Sequence, residues 1–212
     1  MKSSRSALLT AVLVFGLGIR TYADSATSDV KPVQLALWPP DLQLVSEQNS
    51  IQGLRLNIYG RNANVSGVDL GFVHETSGDF HGVAFGCVSL VDGALQGVQW
   101  TWLYSRAGGK AVGWQSALVS KADGGFRGLQ TSALNLNEGD ISGAQISFLY
   151  NYTATHISGG QIGLVNRATV VDGFQLGLVN LTEQMNGLQL GLWNQIDSKE
   201  TLNILPFVNW KF

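Results

Sequence analysis

A unit of about fifteen residues recurs ten times through the chain, opening at Gly53, Gly67, Gly82, Gly97, Gly113, Gly128, Gly143, Gly159, Gly173 and Gly187, with spacings of 14 to 16 residues. A fixed period of this size means one structural unit used repeatedly, so the repeat dictates the fold class before any other feature is considered. It is clearest in Gly173-Phe174-Gln175-Leu176-Gly177-Leu178-Val179-Asn180 and Gly187-Leu188-Gln189-Leu190-Gly191-Leu192-Trp193-Asn194.

With the glycine as position zero, positions one, three and five share one face of an extended strand. Of these thirty positions 27 are apolar, the exceptions being Ser116, Thr131 and Gly160. Such strict period-two alternation argues for strand over helix. On the other face, position two is Gln in seven repeats (Gln99, Gln115, Gln130, Gln145, Gln161, Gln175, Gln189), and position four is small in nine, Asn57 being the exception. The residue two before each glycine is usually apolar, as in Val65, Phe80 and Ile141. Both faces thus carry apolar residues, and the pattern leaves open which one points inward.

Between the blocks stand Ser77-Gly78-Asp79, Asp92-Gly93, Asp123-Gly124 and Glu138-Gly139. Such residues supply the positive φ of tight hairpin turns. The expected fold is therefore all-β: an antiparallel up-and-down meander of about twelve short strands closed into a shallow barrel. Ten repeats plus the end segments Val33–Trp38 and Leu202–Phe212 make an even number, which lets the first and last strands pair and removes exposed edges. The alternative is a parallel β-solenoid with fifteen-residue coils, stacking Gln and Asn into ladders. Turn chemistry and the chain ends favour the barrel.

Residues 1–23 have the build of a secretory signal peptide: basic Lys2 and Arg5, an apolar stretch Ala7–Ile19 too short to span a membrane, and small residues at Thr21 and Ala23 before a cut. That leaves a single β-repeat domain over 24–212, with ten basic and fifteen acidic residues and a net charge of −5. This charge disfavours nucleic acid as a partner.

The repeats resemble the surface-repeat family of exported bacterial proteins over about Val33 to Phe212, including the Gly-Leu-Arg-Leu opening at Gly53–Leu56 and the Pro-Phe-Val-Asn-Trp-Lys-Phe ending at Pro206–Phe212. The resemblance implies export and an envelope location and carries over no catalytic residue. The final strand, with Val208, Trp210 and Phe212, also resembles the C-terminal strand of outer-membrane barrels.

Little in the chain points to chemistry. His74, His81 and His156 lack zinc-ligand spacing and read as turn or surface residues. Asp69 stands where other repeats have Gln, and Glu75 and Asp79 read as turn residues rather than a catalytic pair. No phosphate loop is indicated, and no catalytic residue, metal site or cofactor is expected. Two groups remain. Trp100, Trp102 and Trp114 cluster on the apolar face and are candidates for ligand binding. The seven Gln form a candidate polar track. The expected function is that of a non-enzymatic exported envelope or surface barrel, structural or membrane-associated, with the outer membrane or lipid as partner. The alternative is a periplasmic binding barrel for an apolar, lipid-like ligand. A charge placed at Leu176 or Leu190 is expected to harm folding or assembly, because an unpaired buried charge is costly.

Overall fold

The computed structural model describes residues 29–212; the signal-peptide reading of residues 1–23 lies outside them. The elements are β1 (Val30–Trp38), β2 (Leu42–Gln43), β3 (Ser50–Asn62), β4 (Val65–Thr76), β5 (Phe80–Val91), β6 (Leu95–Ala107), β7 (Ala111–Ala122), β8 (Phe126–Asn137), β9 (Ile141–Ile162), β10 (Val165–Leu176), β11 (Val179–Ile196) and β12 (Ile204–Lys211). They stack in the order β12-β11-β10-β9-β8-β7-β6-β5-β4-β3-β1-β2. All neighbours from β1 and β3 through to β11 pair in parallel, and only the caps β2 and β12 pair antiparallel.

The chain is therefore a parallel β-solenoid, and the expected antiparallel barrel is overturned. Val33–Trp38 and Leu202–Phe212 sit at opposite ends of the stack and do not close on each other. Repeat lies on repeat in one register, so that Gly67 is level with Gly53 and Gly82, and Gly173 with Gly159 and Gly187.

The turn glycines also behave differently from expectation. Of those between the blocks, only Gly125 has a left-handed φ, at 97°. The others are required by stacking: a methyl group on Gly93 would lie 2.6 Å from the backbone of Gly78 in the coil beneath. Positive φ belongs instead to the glycine that opens each repeat. At Gly173 φ is +140°, and a methyl group there would meet the Gly159 carbonyl oxygen at 1.9 Å. Only glycine satisfies both constraints.

Burial changes phase after position five, as in β5, where Ala84 and Ser89 are both buried, so each coil turns a corner there. The two 16-residue coils take their extra residue at this corner, where the register shifts between Trp100 and Tyr104 and between Ser132 and Leu134. The 14- and 15-residue coils differ instead in the turn between blocks, two residues at Ala63–Asn64 against three at Ser77–Asp79. A bulge re-aims the side chains beside it, and Trp102 and Phe148, at these two corners, are 77% and 75% exposed.

The core has an apolar half and a polar half. Residues two before each glycine, including Val65, Phe80, Leu95, Ile141, Ile157 and Val171, are buried in one column, facing small residues such as Ala107, Ala122 and Ala168. Beside them every position-two Gln is 0% exposed. Opposite the Gln column stands a second polar column, Ser105, Ser120, Asn135, Asn151, Asn166, Asn180 and Asn194, equally buried.

Candidate functional site

The Gln column is a continuous hydrogen-bonded ladder. Nε2 of Gln115 donates to Oε1 of Gln99 (2.9 Å), and the same bond recurs from Gln130 to Gln115 (2.8 Å), Gln145 to Gln130 (3.2 Å), and Gln161 to Gln145, Gln175 to Gln161 and Gln189 to Gln175 (each 2.7 Å). The Asn column runs the other way. Nδ2 of Asn135 donates to Oδ1 of Asn151 (2.9 Å), Asn151 to Asn166 and Asn166 to Asn180 (2.8 Å), and Asn180 to Asn194 (2.7 Å). The two columns of amide dipoles thus oppose each other. A buried amide is costly unless bonded; here nearly every one both donates and accepts. The seven Gln singled out in the sequence do form one track, and it is packed inside the solenoid.

At its N-terminal end the Gln column is replaced by charge. Arg55 grips Asp69 through Nε to Oδ1 (2.9 Å) and Nη2 to Oδ2 (2.5 Å), and both side chains are 0% exposed. Arg55 also donates to the Glu75 carbonyl (2.9 Å) and to Thr76 Oγ1 (3.2 Å). His74 donates from Nδ1 to Asp69 Oδ1 (2.8 Å), and its Nε2 lies 3.0 Å from the Phe85 carbonyl oxygen. His74 is thus a core residue, contrary to its reading as a turn or surface histidine. Burial alone would raise the Asp69 carboxyl; the Arg55 charge and the hydrogen bonds from His74 and Arg55 outweigh it and hold it at about 2, below the ordinary 3.8. Arginine, carboxylate and imidazole in contact resemble acid–base machinery, and all three side chains lie in the core, at most 1% exposed.

The apolar face of positions one, three and five points outward. Phe72, Trp102, Phe148 and Leu192 at the corner are among its most exposed side chains. None of its thirty positions carries a charge, whereas Asp79, Asp92 and Asp140 lie on the opposite, turn edge. Between the position-three and position-five rows runs a groove. Its larger part, about 610 Å³ and open to solvent, is walled by Ile162, Leu176 and Leu190 on one side and Leu164, Leu178 and Leu192 on the other, with Gly163, Gly177 and Gly191 as its floor and Phe148 and Phe207 at its ends. A smaller stretch of about 390 Å³ continues the same rows past Phe72, Phe85, Trp100 and Trp102 over Gly71 and Gly86.

Of the three candidate tryptophans, Trp100 and Trp114 lie 5.7 Å apart between ring centroids and Phe85 adds to the row at 5.8 Å. Trp114 donates from Nε1 to Thr131 Oγ1 (2.8 Å), and Trp102 projects from the corner. Trp100 and Trp102 border the smaller groove; Trp114 does not. The larger groove escaped the sequence reading. Its signal was present in Gly163, Gly177 and Gly191, three successive position-four glycines flanked by leucine or isoleucine. The charged cluster also left a trace, since Arg55 and Asp69 are opposite charges in one column of successive repeats. Among the described residues, no group of three or more His, Cys, Asp or Glu is placed to hold a metal ion.

No protein-family model matches the chain, and comparison with curated proteins and with solved structures returns no match.

Proposed function

We propose that this chain is a non-enzymatic exported envelope protein that binds an apolar, lipid-like ligand on the outside of a solid solenoid. The observation that carries the reading is the charge-free outer face with its glycine-floored groove of about 610 Å³. Ligand sites are mostly apolar concavities of about 300–1,000 Å³, and this one is lined by aliphatic side chains with an aromatic ring at each end. The interior, filled by amide ladders, leaves the outer face as the place where recognition would occur. The repeats also supply apolar residues on this face in every coil, which suits binding spread over a surface rather than a reaction at one point.

The test is displacement of a fluorescent fatty acid from the purified exported protein. Leu178→Asp, at an exposed groove position, should abolish uptake while leaving the far-UV circular dichroism unchanged. Equal uptake by the variant and the parent chain would sink the reading. Export to the periplasm or cell surface is part of the same proposal and rests on residues 1–23: N-terminal sequencing of the exported protein should begin at Asp24, and a start at Met1 would remove it.

A further inference from the structure

The second side of each coil, past the corner, carries charges that the apolar side lacks. Two of its columns stand two residues apart along the strands. One holds the cations Arg61, Arg106, Lys121 and Arg167, and the other the acids Asp92, Asp123, Glu183 and Asp197. In the N-terminal half the cations are all paired. Arg61 lies 3.2 Å from Glu75, Arg106 lies 3.5 Å from Asp92 and 2.9 Å from Asp123, and Lys121 lies 3.1 Å from Asp123. In the C-terminal half, Arg167, Glu183 and Asp197 enter no ion pair among the described residues.

Reach does not explain the difference. Arg106 is level with Lys121, two residues before Asp123, and Arg167 is level with Leu181, two residues before Glu183. Each arginine is thus one coil and two residues from its acid, about 8 Å between backbones. Glutamate is one methylene longer than aspartate, yet Arg106 closes on Asp123 and Arg167 does not close on Glu183. A partly enclosed cleft of about 250 Å³ lies between them instead, walled by Tyr152, Arg167 and Gln195 on one side and Thr169, Glu183 and Asp197 on the other. Gln195 Nε2 donates to Asp197 Oδ1 (2.7 Å) and fixes that carboxylate at the end of the cleft.

We propose that this cleft binds a small zwitterion of α-amino acid size, its oxyanion held by the Arg167 guanidinium and its ammonium by Glu183 with Asp197. A guanidinium offers paired N–H donors to an oxyanion, and carboxylates accept from an ammonium. A ligand with one charge would satisfy one wall and leave the other unanswered. Arg167 stands about 8 Å from Glu183 and about 12 Å from Asp197 between backbones, so once an ion-pair contact is made at each wall the ligand's own charges lie a few bonds apart. This site is across the corner from the apolar groove, and it does not rest on the lipid reading.

Amide chemical shifts of the isotope-labelled exported protein test it. The probes are L-serine, O-phosphoethanolamine, and the single-charge halves ethanolamine and lactate. Exposed charge contacts are individually weak, so serine or phosphoethanolamine should give saturable shifts around Arg167 and Glu183 with a dissociation constant of about 1 mM. Each half should bind about tenfold more weakly or worse. Phosphoethanolamine binding tighter than serine would support the site and make its oxyanion a phosphate. Arg167→Gln and Glu183→Gln should each weaken binding about tenfold or more, with unchanged circular dichroism because both positions are exposed. Arg106→Gln, outside the cleft, should bind as the parent does. No saturable shift from either zwitterion would overturn the proposal. So would halves that bind as well as the whole, or an Arg167→Gln variant that binds like the parent.

Discussion

Replacing Gln161 with Ala cuts the amide ladder in its interior. Gln161 donates to Gln145 Oε1 and accepts from Gln175 Nε2, both at 2.7 Å, and donates at longer range to the Arg167 carbonyl, 3.3 Å. Each ladder bond is worth about 1 kcal/mol net, and a buried donor left without a good partner costs about 1–3 kcal/mol. Here that donor is Gln175 Nε2, whose remaining acceptor is the Leu181 carbonyl at 3.4 Å. The void left by the missing side chain adds roughly 1 kcal/mol. The expected loss is thus about 3–5 kcal/mol. Gln189 ends the ladder. It makes one ladder bond and one to the Gln195 carbonyl (3.0 Å), and its own Oε1 already has no partner. Gln189→Ala therefore removes an orphaned acceptor along with its bonds and should cost only about 1–2 kcal/mol. Urea unfolding followed by far-UV circular dichroism reads both variants; equal slopes would show that midpoints can be compared directly. If the two substitutions cost the same, or both cost under about 0.5 kcal/mol, the ladder does not stabilise the fold as argued.

Gly173→Ala should abolish soluble folded protein, because the added methyl group meets the Gly159 carbonyl at 1.9 Å at a φ of +140°; recovery of a stable variant would refute the close stacking. Asp69 titrates lower in the folded chain than its ordinary 3.8, so the stability it contributes is present above that value and is lost as pH falls toward about 2. The shift amounts to roughly 2 kcal/mol, and acid unfolding of Asp69→Asn should lack that component while the variant is already weakened at neutral pH by a buried Arg55 without its partner. Leu176→Asp should change stability by less than about 1 kcal/mol, since Leu176 is 42% exposed; the sequence expectation of harm to folding or assembly took this face as buried.

Much of the coil was legible. Alternation in positions one to five, the small residue at position four and the constant Gln each correspond to a real column. Direction and facing were not. Apolar residues occur on both sides of each block, and alternation alone does not report that Val65, Phe80 and Ile141 are the ones turned inward. The Asp-Gly pairs misled because glycine serves two needs. At Gly93 and Gly124 it answers close backbone stacking between coils, not the positive φ of a hairpin. The better clue was order: Gln at position two precedes Asn near position seven in the last four repeats. Parallel stacking sets like on like in both columns, whereas antiparallel neighbours would reverse the order in every second strand. The buried Arg55–Asp69–His74 cluster was visible only as two departures from Gln, and His74 gave no sign of joining them.

The parallel stack, on which the outer face and its groove depend, is tested most directly by one distance. Leu35 in β1 is level with Leu56 of the first coil, and Val208 in β12 with Leu190 of the last. Both are exposed, so spin labels on Leu35→Cys and Val208→Cys, in a Cys87→Ser background diluted with unlabelled chain, should leave the fold intact. Eleven coil steps of about 4.8 Å place the two backbones about 53 Å apart. Pulsed electron–electron resonance should return a distribution centred near that value. A distance under about 20 Å would put the first and last strands side by side at roughly the inter-strand spacing plus label length, as in a closed barrel, and would contradict the solenoid.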